Sequence, residues 1–224
     1  MDKALSTDRS RHPLLLLAQE LSEGDADVTD EISAWLSDAE EDQKRYPMFF
    51  LDWYYSELTP YILENYETPT EASTVLVWCL WRTGHMAYGD WKTESHSILR
   101  DLDDVSNGKL SKSPLYGPLL QRFQEESLGV GAYLDLPLPD PQLVELVEAV
   151  GYQLEAIDED SDSFELLLIP ADRCERIYRL GDEANVSFYF RRRREEVARE
   201  GAASASTDTN QPKVRCWNKL FKRD

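Results

Sequence analysis

The most restrictive feature of the sequence is a pair of β-strand patterns separated by a short acidic segment. Residues 151–170 read GYQLEAIDEDSDSFELLLIP, with largely apolar runs on both sides of a cluster of Asp and Ser. Asp and Ser favour turns because their side chains bond to nearby backbone groups. A parallel crossover needs a dozen or more residues, so these runs can pair only as an antiparallel hairpin. The sequence therefore predicts strands at 152–157 and 164–169.

The acidic turn between these strands is open to three interpretations. Asp158, Asp160 and Asp162 match the first, third and fifth positions of a calcium-binding loop. However, the sixth position requires glycine and holds Ser163, and the twelfth requires glutamate and holds Ile169. A solvated turn is favoured over an acidic contact surface, and a contact surface is favoured over metal binding or catalysis. We therefore expect no calcium site here.

Helical patterns occupy most of the remaining chain. The clearest helix start is TPTEASTVLVWCLWRTG, in which Thr68 can be the N-cap, Pro69 the first helical residue and Glu71 the third. The body of this segment is apolar nearly all round, which predicts a buried helix ending near Gly84. Further helices are predicted at 13–21, 28–39, 45–66 with a break at Pro60, 93–105, 118–126, 141–150 with Asp140 as its cap, 170–180 with a stop at Gly181, and 182–200.

Helical patterns outnumber strand patterns, and the strand patterns are short. A third short strand is predicted at 85–91. The expected fold class is therefore α+β, mostly helical, with a small antiparallel sheet formed by the hairpin 152–169 and this strand. A single acidic domain is predicted for 13–190, followed at 191–224 by a basic helix end, a flexible linker at 201–212 and a tail.

Charge is distributed unevenly along the chain. The formal net charge is −19, and residues 191–224 carry ten Lys/Arg against five Asp/Glu, whereas the other 190 residues carry 14 against 38. An acidic body repels nucleic acid and favours a basic partner, although acidity can also serve solubility alone. In the run RRRREE at 191–196, consecutive arginines point all round a helix and the glutamates are local partners. We therefore favour a solvated helix end over a nucleic-acid patch. Contact of these arginines with the acidic body is the next alternative.

Sequence motifs for catalysis are absent: no GxSxG, P-loop, GxGxxG or HExxH is present. His85 and His96 flank Asp90, so a His/Asp site for a metal or for acid–base chemistry is an alternative, but nothing fixes its spacing. We expect no catalytic residues, no metal site and no cofactor.

The cysteine pattern and the lack of long apolar runs indicate the compartment. Cys79, Cys174 and Cys216 are odd in number and far apart, as expected of reduced thiols in the cytoplasm. The apolar run at 14–17 is too short to span a membrane or to form a signal peptide. The oligomeric state is not indicated.

The segment GDWK, residues 89–92, is a candidate anchor for a protein partner. Trp91 lies between Asp90 and Lys92 at the end of a predicted strand, and Trp is enriched at the energetic centres of interfaces. The structural alternative is that Trp91 covers the core while Lys92 pairs with Asp90. Partner-binding candidates are Asp90, Trp91, Lys92, Asp158, Asp160 and Asp162.

Together, the strand AYGDWK and the hairpin GYQLEAIDEDSDSFELLLIP resemble an uncharacterised bacterial family, a domain of unknown function. In that family a strand ending in Asp-Trp-Lys precedes a late Asp-x-Asp-Ser-Asp-Ser-Tyr/Phe hairpin. The resemblance covers residues 13–185 and implies no established activity.

In size, acidity and lack of catalytic motifs the chain is also similar in type to the immunity proteins that bacteria keep beside secreted toxins. We therefore expect an acidic cytoplasmic protein that binds and inhibits a basic toxin, such as a nuclease effector of a secretion system. The alternatives are an enzyme with a His/Asp site and a regulatory adaptor protein.

Overall fold

The structure of the chain, a computed structural model, describes residues 11–38, 72–90, 92–126, 128–129, 139–157 and 163–207. These ranges contain eight helices and three strands, which confirms the predicted α+β class with mostly helical content. The elements are α1 (Pro13–Leu21), α2 (Ala26–Asp38), α3 (Ala72–Arg82), β1 (Ala87–Asp90), α4 (Ser95–Val105), α5 (Tyr116–Glu126), α6 (Pro141–Ala149), β2 (Tyr152–Ile157), β3 (Ser163–Pro170), α7 (Cys174–Ala184) and α8 (Tyr189–Thr207).

The three strands form one antiparallel sheet in the order β1-β3-β2. The hairpin β2–β3 pairs Tyr152 with Pro170 and Ile157 with Glu165, so the predicted hairpin is confirmed. Strand β1 lies on the other side of β3, where Ala87 is paired with Leu166.

The predicted strand 85–91 begins too early, because the end of α3 uses the backbone of His85. The N–H of His85 donates to the carbonyl of Leu80 at 2.8 Å, and the N–H of Gly84 donates to that of Trp81 at 3.1 Å. Gly84 has a φ of +77°, as this type of helix ending requires. The predicted end near Gly84 is therefore confirmed, whereas the capping residues 68–71 and Trp91 lie outside the described residues.

The sheet separates two hydrophobic cores. Helices α1, α2, α3 and α7 pack on one face, and α4, α5 and α6 pack on the other. Alternate residues of each strand point to opposite faces, so a single strand contributes to both cores. The first core takes Ile157, Leu167 and Ile169 from the sheet, and the second takes Leu154, Ala156 and Leu166.

The prediction that a helix beginning near 170 stops at Gly181 is wrong. Helix α7 begins at Cys174, continues through Gly181 and ends at Ala184, with Asn185 in the left-handed conformation at φ +57°. Gly181 serves packing instead, because an added Cβ would lie 2.5 Å from Cε2 of Phe188. Glycine at this position therefore permits a close contact and does not mark the end of the helix.

Helix α8 continues further than the predicted 200. It reaches Thr207 and so includes the first seven residues of the predicted linker 201–212. The segment GAASAST contains several good helix formers, and extending an existing helix needs no new nucleation. Residues 208–224 lie outside the described residues, so the domain boundary at 191 and the tail stay predictions.

Candidate binding surface

The register of the sheet places the end of β1 beside the start of β3. Asp90, the last residue of β1, is the register partner of Ser163, the first residue of β3. The acidic turn leaves β2 at Ile157 and enters β3 at Ser163. The described residues that border these two motifs, which are far apart in sequence, therefore lie side by side at one end of the sheet.

Gly89 explains part of the GDWK pattern in structural terms. Its Cβ, if present, would lie 2.5 Å from Cδ1 of Ile98 and 3.1 Å from Cβ of Thr93. Glycine at this position lets α4 pack directly against β1. The motif thus has a packing role at its first residue, and this role is independent of partner binding.

The chain after β1 is held in place by contacts with residues 128–129. Ser95 is buried, and its Oγ donates to the carbonyl of Leu128 at 2.6 Å. Glu94 and Gly129 form an isolated antiparallel bridge beside this bond. Lys92 precedes these contacts and is exposed. Residues 92–95 therefore stand on a fixed backbone at this end of the sheet.

This end of the sheet is acidic by sequence. Segments 90–94 and 158–162 together contain six Asp/Glu and one Lys, and we name them the acidic end. The side chain of Glu94 is 61% exposed and lies 3.3 Å from Nε2 of His96. Trp91, Asp158, Asp160 and Asp162 lie outside the described residues, so their partner-binding roles stay predictions, as do those of Asp90 and Lys92.

The sequence reasoning missed two carboxylates that lie inside the fold. Glu155 and Glu165 are 0% and 2% exposed, and both occupy strand positions whose alternation places them on the face of the first core. Oε1 of Glu165 accepts a hydrogen bond from Oγ of Ser163 at 2.5 Å. Strict period-two alternation was the available signal, since it assigns both residues to a buried face.

Glu155 is the centre of a polar network that joins β2, α7 and the start of α8. Its carboxylate accepts from the backbone N–H groups of Phe190 at 2.7 Å and Arg191 at 3.1 Å. It also accepts from the hydroxyl of Tyr178 at 2.9 Å and from the guanidinium of Arg194 at 2.8 Å. A strand carboxylate thus satisfies the free N–H groups at the first turn of α8, where negative charge is stabilised. Burial raises the pKa of the Tyr178 hydroxyl, and the negative charge of Glu155 raises it further.

The arginine run at 191–194 makes contacts both within α8 and with the acidic body. Arg191 forms a two-pronged ion pair with Asp182 at 2.9 and 3.0 Å and also contacts Glu195 at 3.2 Å. Arg194 binds Glu155, as described above. The predicted pairs within α8 are present, and the alternative of contact with the body also applies to Arg191 and Arg194.

The two histidines considered for a His/Asp site have separate acidic partners. Nε2 of His85 lies 2.9 Å from Oδ2 of Asp25, and His96 is paired with Glu94. The hydrogen bond from His85 lowers the pKa of Asp25. Asp25 borders a pocket of about 550 Å³ between α2 and α3, lined also by Asp27, Asp30, Glu31, Ala34, Trp78, Cys79, Arg82 and Thr83.

The two described thiols are structural. Burial raises the pKa of Cys79 to about 12, with Glu31 adding to the effect, and burial also raises the pKa of Cys174. Neither thiol is a ready nucleophile near neutral pH. Within the described ranges, no group of three or more His, Cys, Asp and Glu side chains could hold a metal ion.

None of the helices in the described part of the chain is long and apolar enough to cross a membrane.

Fold and surface together define a class of protein: an acidic α+β domain whose small antiparallel sheet lies between two helical layers. The chain belongs to the family described as Domain of unknown function (DUF6630), whose model matches residues 13–191. The resemblance to an uncharacterised domain family is therefore confirmed, and the match extends slightly beyond the expected residue 185. No curated protein and no solved structure matches the chain.

Proposed function

We propose that this protein acts in the bacterial cytoplasm by binding a basic protein toxin and covering its active site, as immunity proteins do. The proposed partner is a nuclease effector of a secretion system. The observation that supports this most is the register of Asp90 with Ser163, because these residues border the GDWK motif and the acidic turn. Binding alone would suffice, without catalytic residues, a metal or a cofactor in this chain.

Electrostatics supports a basic partner of this kind. A nuclease must hold the phosphates of its substrate with Lys and Arg, so its active site carries positive charge. Clustered carboxylates on the inhibitor increase the association rate, and salt weakens this effect. Tight binding needs a buried aromatic anchor as well, and Trp91 between Asp90 and Lys92 is our candidate.

The direct test is co-expression of this chain with the product of the adjacent reading frame. We expect the two chains to elute together in size-exclusion chromatography and this chain to restore growth to cells that make the partner. If the partner is toxic by itself, the absence of both a complex and growth rescue would end the proposal.

A charge-reversal pair of variants tests the position of the surface. Asp158→Lys, Asp160→Lys and Asp162→Lys together should slow association on the order of 10-fold at low salt, and much less at high salt. The matched control makes the same charge change at three exposed residues near α7, namely Asp172→Lys, Glu175→Lys and Glu183→Lys. Equal slowing by both triple variants would show that net charge, and not the acidic end, steers the partner.

The anchor is tested separately through the dissociation rate. Trp91→Ala should speed dissociation while leaving the low-salt association rate nearly unchanged, because a neutral anchor contributes mainly to the bound state. An unchanged dissociation rate would remove Trp91 from the interface.

A further inference from the structure

A groove lies at the outer edge of β2, between α6 and α8. It has a volume of about 380 Å³ and contacts Gln153 and Leu154 near the start of β2, whereas the acidic turn leaves β2 at Ile157. One face of α6 forms a wall of the groove, through residues at positions i, i+3, i+4 and i+7. These wall residues are Pro141, Val144, Glu145 and Glu148.

The groove combines an apolar floor with an acidic rim. Leu154 is 3% exposed and Val144 is half-buried, while Glu145 and Glu148 are exposed. Arg194 also lines the groove, but its guanidinium is neutralised by the buried Glu155 at 2.8 Å. No residue in the described ranges forms an ion pair with either rim glutamate. The surface thus suits a ligand that is apolar on one side and positively charged at its edge.

The C-terminal segment 213–224 of the same chain has this chemistry. It reads KVRCWNKLFKRD, with five Lys/Arg and one Asp. Its apolar residues recur at the spacing of one face of a helix, and the basic residues fall between them. These apolar residues are Val214, Trp217, Leu220 and Phe221.

The length of the chain allows this segment to reach the groove. From Arg194 to the end of α8 at Thr207 the helix rises about 20 Å. The five residues 208–212 span at most about 18 Å, and twelve helical residues span about 18 Å. A reversal of the chain after α8 would therefore bring segment 213–224 back to the level of Arg194.

We propose that segment 213–224 docks in the groove of its own chain, with its apolar residues on Val144 and Leu154 and its basic residues beside Glu145 and Glu148. The segment lies beyond the family match, which ends at 191. Its docking therefore places a basic segment, which can also dissociate, on the acidic domain. The proposal does not depend on the toxin-binding function.

A spin label on Cys216 of the full chain tests this contact. Cys79 and Cys174 are buried and have raised pKa values, so the label should react with Cys216 near neutral pH. We expect the label to abolish the methyl NMR signals of Val144 and Leu154.

Signals from the opposite helical layer serve as internal controls. The methyl signals of Leu17 and Val28, in the first core, should persist in the labelled chain. A mixed sample of spin-labelled and isotope-labelled chains should keep every signal, since the contact is within one chain. Loss of the Val144 and Leu154 signals in the mixed sample as well would show docking on a second copy and would overturn the proposal.

Charge variants test the chemistry of the contact. Glu145→Lys with Glu148→Lys should restore the Val144 and Leu154 signals, and adding Lys219→Glu with Lys222→Glu should abolish them again. This compensating exchange distinguishes lost docking from a misfolded groove.

Glu175→Lys with Glu183→Lys, an equal charge change on α7, should have no effect on the lost signals. If the segment serves to bind anionic lipid surfaces instead, the Val144 and Leu154 signals will persist in buffer in the labelled wild type. Persistence of these signals in the labelled wild type would overturn the proposal. A loss of signal that is unchanged in Glu145→Lys with Glu148→Lys would also overturn it.

Discussion

The attachment of α8 to the sheet should depend on a single buried carboxylate. Replacing Glu155 by Gln keeps the shape of the side chain but removes its charge and one acceptor oxygen. The amide nitrogen of the glutamine then faces hydrogen-bond donors and cannot accept from them, and Arg194 loses its ionic partner. The groups that donate to Glu155 are the N–H groups of Ala156, Phe190 and Arg191, the hydroxyl of Tyr178 and the guanidinium of Arg194.

The size of the effect follows from burial. Glu155 is 0% exposed, and removing one partner of a buried ion pair costs about 3–5 kcal/mol. For a chain of this length the melting temperature should fall by about 6–20 °C. Arg194 is 37% exposed, so Arg194→Met should cost less, about 1–3 kcal/mol, because the backbone N–H groups still hold the carboxylate.

Urea unfolding followed by circular dichroism measures these differences in the free energy of unfolding. Hydrogen exchange at the amides of Phe190 and Arg191 should accelerate in Glu155→Gln more than exchange in β3, because α8 would open locally. Glu183→Gln, at an exposed position on α7, is the control and should change stability by less than about 0.5 kcal/mol. The double variant Glu155→Gln with Arg194→Met should cost less than the sum of the single variants.

A loss below about 1 kcal/mol in Glu155→Gln would refute the reasoning, since it would equal an ordinary neutral hydrogen bond. Strict additivity of the two variants would equally refute a direct coupling between Glu155 and Arg194.

Three further predictions concern packing, pH and calcium. Gly181→Ala should lower the free energy of unfolding by about 1–3 kcal/mol because its Cβ would meet Phe188, and Gly117→Ala, in a helix with open space around it, should raise it by about 0.4–1 kcal/mol. Similar urea midpoints for the two variants would contradict this. Because the pKa of Cys79 is raised from 9.0 to about 12, the unfolded chain loses this proton first as pH rises, and stability should fall above pH 9 by up to about 1.4 kcal/mol per pH unit. Denaturation of Cys79→Ala at pH 8–11 should show a flatter dependence of stability on pH. Titration calorimetry should detect no micromolar calcium binding, and binding abolished by Asp160→Ala would prove this wrong.

Local sequence was sufficient for several elements of the fold. The hairpin β2–β3 followed from two strand patterns and a connection too short for any other pairing. The end of α3 at Gly84 followed from the low cost of positive φ for glycine. The start of α6 followed from Asp140, whose side chain accepts from the N–H groups of Gln142 and Leu143. Each of these features is decided by residues close together in the chain.

Gly181 shows where local reasoning fails. A glycine at the end of an apolar pattern is the usual signal of a helix stop, and here it is the contact point for Phe188 seven residues later. The identity of the residue is the same in both cases, and only the packed neighbour decides between them.

The sequence by itself determined the antiparallel hairpin, the predominance of helix and the acidic character of the body. Only the tertiary structure decided that β1 pairs with β3, that Glu155 lies beneath the start of α8 and that His85 contacts Asp25. The physical reason is the range of the interactions. Periodicity and helix caps act over a few residues, whereas strand pairing and buried charge depend on which distant surfaces exclude water together.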